Sequence, residues 1–218
     1  MPSTGPSGNG TRPGELPRWR RPLAVVAHPD DESFGLGAVL GRFVDDGASP
    51  SVLCFTHGEA STLHGVPGDL RRIRAREMRR AADLLGVHDV HLDHRPDGLL
   101  SQDDPEALAE EVLRAVERWD SDGLLVFDQD GVTGHPDHIA ATGAALLAAE
   151  RTGLDVLAWT VPRNVAEQLN REFSASFTGR GPTEIDLFLG VRRDPQIAAA
   201  RAHPSQALPE SVLWRRLE

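Results

Sequence analysis

LAVVAHPDDESF, residues 23–34, is the stretch on which the fold turns. Five apolar residues run straight into a histidine, a proline and three consecutive acids. The apolar run reads as a strand buried on both faces, and the polar run as a loop entering a helix near Ser33. The carboxylates of Asp30, Asp31 and Glu32 repel one another and contribute nothing to a core. A nearby cation is expected to relieve them.

Outward from this stretch, short β-branched runs alternate with longer helical patterns. Candidate strands are Leu23–Ala27, Ser51–Phe55, Val90–Leu92, Gly123–Phe127 and Asp155–Val161. Helical patterns start near Ser33, Asp69, Pro105 and Pro136. In the second, Leu70, Ile73, Met78, Ala81 and Leu85 form one stripe, and Gly86 stands where a helix C-terminus favours glycine. In the third, acids open the first turn and Leu108, Val112, Leu113 and Val116 face inward. From about Thr183 the tail offers one more strand, Glu184–Val191, and two short helices. Such alternation predicts an α/β chain: a single-domain, Rossmann-like, three-layer fold with a mostly parallel sheet and helices on both faces. The Pro/Gly/Ser-rich residues 1–21 are expected to be a disordered leader and 22–218 the domain.

Composition narrows the function. The 33 acidic and 23 basic residues give a formal charge of −10, which argues against a nucleic-acid partner. All basic residues are arginine, and there is no tyrosine. A lysine Schiff base, a catalytic tyrosine and a Walker A loop are therefore excluded. The single Cys54 forbids an intrachain disulfide and reads as a small buried hydrophobe. No stretch reaches the roughly 20 apolar residues of a membrane span, and the N-terminus lacks a signal-peptide core. A cytoplasmic protein is expected, with a small-molecule substrate and no membrane partner. A homo-oligomer is compatible with all of this.

In parallel α/β sheets, ligands bind beyond the carboxyl ends of the strands. His28 and Asp31 follow the first strand, and GVTGHPDH, residues 131–138, follows the fourth. A centre of His28, Asp31 and His138 offers two imidazoles and one carboxylate to a zinc ion, or to ferrous iron or another divalent metal, and leaves a position open for water. Asp30 could take a proton from that water. His135 could protonate a leaving amine or stabilise an oxyanion, with Asp137 orienting an imidazole. Either loop alone reads better as helix capping; two such loops after neighbouring strands, each carrying His and Asp, favour a shared centre instead. His57 and Glu59 follow the second strand and either line the pocket or form a plain turn. His64 lies in a Gly/Pro-rich loop that could rim the site. His88, His91 and His94 alternate faces of a strand and cannot converge. Asp128 or Asp130 could support a ligating histidine, and Arg74 could pair with Glu77 one turn away.

AHPDDE after the first strand, Thr56-His57-Gly58-Glu59 after the second and the later GHPDH together resemble the LmbE/PIG-L family of metal-dependent N-deacetylases. Weaker matches are Arg74-Ala-Arg-Glu77, Pro96-Asp97-Gly98 and His203-Pro-Ser-Gln206. The resemblance covers residues 22 to about 206. It implies His28, Asp31 and His138 as metal ligands, Asp30 as general base and His135 as general acid or oxyanion stabiliser. It also implies Arg74 and Asp97 as contacts to the hydroxyls of a glucosamine-type substrate. Some family members carry a tyrosine where this chain has Thr133, whose hydroxyl reaches less far. The activity so implied is hydrolytic removal of an N-acyl, typically acetyl, group from an amino-sugar conjugate or another N-acylated metabolite. A two-His-one-carboxylate iron oxygenase and a non-catalytic sugar- or phosphate-binding module are the alternatives that the residues alone allow.

Overall fold

The computed structural model describes residues 14–62 and 68–217. In chain order its elements are β1 (Pro22–Val26), α1 (Asp31–Phe34), α2 (Gly37–Asp45), β2 (Ser51–Thr56), α3 (Leu70–Leu85), β3 (Asp89–Arg95), α4 (Pro105–Trp119), β4 (Gly123–Phe127) and α5 (Pro136–Thr152). There follow β5 (Val156–Trp159), β6 (Val161–Pro162), α6 (Arg163–Phe173), β7 (Gly179–Arg180), α7 (Asp194–Ala200) and α8 (Val212–Leu217). The five-stranded sheet is parallel throughout, in the order β3-β2-β1-β4-β5. The chain winds outward from β1 through β3, then returns to lay β4 against the other side of β1. The connections leaving β1 and β4 therefore run to opposite faces of the sheet, and the crevice between them is where such sheets place their ligands.

Alternation along the strands feeds two cores. Ala24, Val26, Val52, Cys54, Leu125 and Phe127 face one side and pack under α2 and α3. Leu23, Val25, Leu53, Phe55, Leu124 and Val126 face the other and pack against α4 and α5. Burial on both faces accounts for uninterrupted apolar strands. Among the described residues no helix is long and apolar enough to cross a membrane.

Four features differ from the sequence expectations. Of the expected leader, residues 1–13 lie outside the described residues, but from Gly14 the chain packs on the body. Leu16 and Trp19 are buried; the Trp19 ring stacks on Phe43 at 5.7 Å and covers Gly123, where a Cβ would stand 2.1 Å from the indole. The helix expected near Ser33 is two, α1 and α2, separated at Gly35, where a Cβ would come 2.3 Å from the Phe127 ring. The strand expected over Glu184–Val191 does not form. Leu187 and Leu189 face the core and Phe188 is exposed, so the period of two is present, but no neighbouring strand pairs with it. Periodicity reports which side chains point inward, not whether a ladder partner exists. Finally, α6 was not anticipated; only Ala166 and Leu169 are buried along it, too thin a stripe to read.

Because Trp19 fills space that Gly123 leaves open, Trp19→Ala should cost about 3 kcal/mol of unfolding free energy. Urea titration should show the loss as a lower midpoint with an unchanged slope.

Candidate metal centre

β1 delivers the first half of the site. The Asp31 carboxylate bends back over its own loop, accepting from the backbone N–H groups of His28 at 2.9 Å and Ala27 at 3.2 Å. Asp30 occupies the N-cap position of α1 but makes no side-chain cap bond, so its carboxylate is not consumed by the helix. Its backbone lies at φ 138°, a conformation that L side chains rarely adopt and that costs about 1–3 kcal/mol unless its surroundings enforce it. Arg74, reaching over from α3, meets that carboxylate at 3.3 Å.

β4 delivers the second half. Asp128 and Asp130 grip Arg180 of β7, and Asp130 also accepts from the N–H of Val132, steadying a loop whose Val132 has φ 65°. His135 caps α5, its Nδ1 accepting from the Asp137 N–H at 3.2 Å. One turn into the helix, His138 sets its Nδ1 at 3.2 Å from the carbonyl of Gly131.

Hydrogen bonding selects which ring nitrogens remain available. His138 donates from Nδ1 to the Gly131 carbonyl, which leaves Nε2 as the lone-pair nitrogen. His28 places Nε2 3.0 Å from Asp97 Oδ1 and 3.4 Å from Asp137 Oδ2, which leaves Nδ1. These two free nitrogens face each other at 3.2 Å. Asp31 Oδ1 lies 3.3 Å from His138 Nε2, and Asp31 Oδ2 lies 3.7 Å from His28 Nδ1. Donor atoms bound to one tetrahedral ion at roughly 2.1 Å stand about 3.4 Å apart. The three side chains already have that spacing, so they fit a divalent metal. His135 joins His28 and His138 in a wider cluster of ring nitrogens, and His28 forms another with Asp97 and Asp137.

The electrostatics agree with a cation site. Burial acts to lower the His28 imidazole, yet hydrogen bonds to Asp137 and Asp97 and the charge of Asp31 carry it up to about 10. His138 is raised in the same way: burial lowers it and Asp31 outweighs that. Burial would raise Asp31, but His138 and His28 hold it well below the usual carboxylate range. Positive charge is therefore demanded here. Protons are a poor means of supplying it, because two protonated nitrogens 3.2 Å apart would oppose each other. Burial pushes Asp30 up to about 6 against the pull of Arg74, and burial together with His28 and His138 lowers His135.

Other expected residues take different places. Arg74 does not pair with Glu77. It is 3% exposed and donates from Nη1 to the Gly58 carbonyl and from Nη2 to the Pro29 carbonyl, while Glu77 accepts from Ser205. Gly58 is required for this, since a Cβ there would meet Nη1 at 2.2 Å. Both terminal nitrogens are thus anchored on loop carbonyls, and the guanidinium faces the Asp30 carboxylate. Asp97 is likewise occupied: one oxygen meets His28 and the other accepts from the Ala60 N–H at 2.8 Å. Asp137, fully buried, does orient an imidazole, that of His28, and also accepts from the N–H groups of Gly98 and Leu100. Asp128 and Asp130 serve Arg180, not a histidine. Thr133 is half-buried on the β4 loop. His57 stacks on His94 at 5.4 Å, and Glu59 Oε1 stands 3.5 Å from the Asp97 N–H, so both flank the Asp97 loop outside the centre. His91 pairs with Glu111 on the far face. His64, with residues 63–67, lies outside the described residues.

Sequence reading missed Arg180, the Gly131 carbonyl and the partners of Glu32. Arg180 sits in no recognisable motif, and the other two are backbone or long-range contacts.

Residues 23–149 match the family profile described as PIG-L, GlcNAc-PI de-N-acetylase. A 1D-myo-inositol 2-acetamido-2-deoxy-alpha-D-glucopyranoside deacetylase of Kineococcus radiotolerans is 31% identical over 88% of this chain and 70% of its own. A probable N-acetylglucosaminyl-phosphatidylinositol de-N-acetylase of Schizosaccharomyces pombe is 32% identical over 60% of this chain, which spans about half (52%) of that relative. Among solved structures, N,N'-diacetylchitobiose deacetylase from Pyrococcus horikoshii superposes with TM-score 0.66 at 19% identity, covering 91% of this chain and 74% of its own. A zinc-inhibited form of teicoplanin deacetylase Orf2 gives 0.65 at 21%, covering 90% of each chain.

Cys54 is fully buried in β2, and burial with the nearby acids Asp31 and Glu32 raises its thiol well above the usual range. In native buffer at pH 8 it should stay unmodified by an aromatic disulfide reagent over a time in which the urea-unfolded chain reacts completely.

Proposed function

Because this chain belongs to the PIG-L family, we propose that it is a divalent-metal-dependent N-deacetylase that hydrolyses the acetamide of an amino-sugar conjugate. The observation that carries the proposal is the convergence of His28 Nδ1, His138 Nε2 and Asp31 Oδ1 beside an uncapped carboxylate, Asp30. His28, Asp31 and His138 would hold the metal, for which we propose zinc, in keeping with two imidazoles and a carboxylate. Such an ion supplies Lewis acidity, rendering a water nucleophilic near neutral pH and polarising an amide carbonyl.

The remaining work falls to side chains. Asp30, at about 6, is ionised at neutral pH and basic enough to take a proton from the attacking water. Arg74 keeps that carboxylate pointed and partly balanced. His135 has Nδ1 occupied by the Asp137 N–H, so Nε2 is its outward donor. From there it can hydrogen-bond a developing oxyanion and pass a proton to the departing nitrogen. Asp97 and Asp137 hold His28 against rotation. The relatives' substrates, a glucosaminyl inositol and its phosphatidyl form, share an N-acetylglucosamine unit and support an amino-sugar substrate for this chain.

Primary-amine release should be measured across N-acetylglucosaminyl-inositol, N-acetylglucosamine and N,N'-diacetylchitobiose, with zinc and with chelator. At least one should be hydrolysed with zinc and none with chelator. Asp30→Ala should retain zinc yet lose roughly 10²- to 10⁴-fold in kcat, whereas His138→Ala should fail to retain zinc. No amine from any substrate under zinc loading, or an Asp30→Ala enzyme as fast as the parent, would refute the assignment.

A further inference from the structure

A set of buried polar contacts outside the metal cradle leaves Asp30 through its backbone and returns through its side chain. The Asp30 N–H donates to Glu32 Oε2 at 2.9 Å. Glu32 Oε1 accepts from Ser33 Oγ at 2.6 Å and lies 2.7 Å from Nε2 of His203, which sits on the turn after α7. Neither Glu32 nor His203 has any solvent exposure. Two residues on, Ser205 donates from both its N–H and its Oγ to the Glu77 carboxylate on α3. One turn earlier on the same helix stands Arg74, whose guanidinium meets the Asp30 carboxylate.

Stability alone does not explain this ring. A fully buried ion pair gains little over apolar residues of the same shape, and breaking one partner leaves a buried charge. What the pair does accomplish is local. The positive φ of Asp30 persists only where its surroundings over-determine it, and its N–H has the Glu32 carboxylate as acceptor. That carboxylate is aimed by His203, whose Nε2 lies 2.7 Å from Oε1. Removal of the imidazole would free Glu32 to turn aside, and the peptide of Asp30 would relax with it.

We infer that His203, acting through Glu32, is a positioning residue that fixes the orientation of the Asp30 carboxylate. The inference rests on the reading of Asp30 as the proton acceptor of the reaction.

Two measurements on zinc-loaded protein test it. The first needs no substrate: in His203→Ala, amide hydrogen exchange at Asp30 should quicken at least tenfold, while Val52 and Leu125 in the central strands stay within twofold. The second uses N-acetylglucosaminyl-inositol. His203→Ala should lower kcat at least 30-fold with KM within twofold, and in an Asp30→Asn background it should remove no more than a further twofold. A merely structural role would instead add its loss to that of Asp30→Asn. Should His203→Ala fail to fold, Ser205→Ala opens the ring from the α3 side. It should give about a fivefold kcat loss, again absent in the Asp30→Asn background. An unchanged Asp30 amide, or losses that add, would overturn the positioning role. An Asp30→Asn enzyme as active as the parent would refute the proton-acceptor reading instead, whatever the exchange data show.

Discussion

Three groups that must share one charge govern this molecule. Asp31 is held ionised between two imidazoles, and both imidazoles are held in place by carbonyl or carboxylate oxygens on their far sides. A single proton can bridge the two free ring nitrogens, which face each other at 3.2 Å, whereas a divalent cation can engage both of them and Asp31 at once. The strand order makes the meeting possible: β1 and β4 are neighbours in space although His28 and His138 are 110 residues apart. Loops from the two sides of a switch point can converge on one spot.

Around that centre the chain accepts local costs that a purely structural sheet would avoid. Asp30 and Val132 both adopt positive φ without being glycine, one in each contributing loop. Arg74 is buried with its Nε unpartnered, and Glu59 has one buried oxygen without a partner. These features border the loops at the carboxyl end of the sheet, where geometry can be held for chemistry, although Asp120, Ser174 and Glu210 take positive φ elsewhere.

Much of this was legible in the sequence, and the limits have physical causes. The strands and α3 to α5 announced themselves because buried parallel strands are continuously apolar and their covering helices are amphipathic. The cradle of His28, Asp31 and His138 was legible because short motifs at strand ends fix both residue type and place. Arg74 and Asp97 were harder. The resemblance implied contact with substrate hydroxyls; what it did not show is that Arg74 also meets Asp30 and that Asp97 also meets His28. Only packing decides that, and the sole trace in sequence is Gly58, whose missing Cβ gives Arg74 its room. Glu32 read simply as a third repelling acid, because its partner, His203, lies 171 residues away on a turn without periodicity. Arg180 left no trace at all, since it acts on the β4 loop through Asp128 and Asp130 from a two-residue strand.

The burial of the two proposed proton carriers gives the site a direction. Asp30 sits on the enclosed side, behind Arg74, where low dielectric lifts its basicity toward neutral pH. His135 sits exposed at the start of α5, its ring 4.9 Å from that of His28 and 4.9 Å from that of His138. In the proposed reaction, water activation would thus fall to the inner wall and departure of the amine to the open rim. An acetyl group is small enough to enter ahead of the nitrogen that carries it, and the bulky remainder of the conjugate stays outside with the leaving amine.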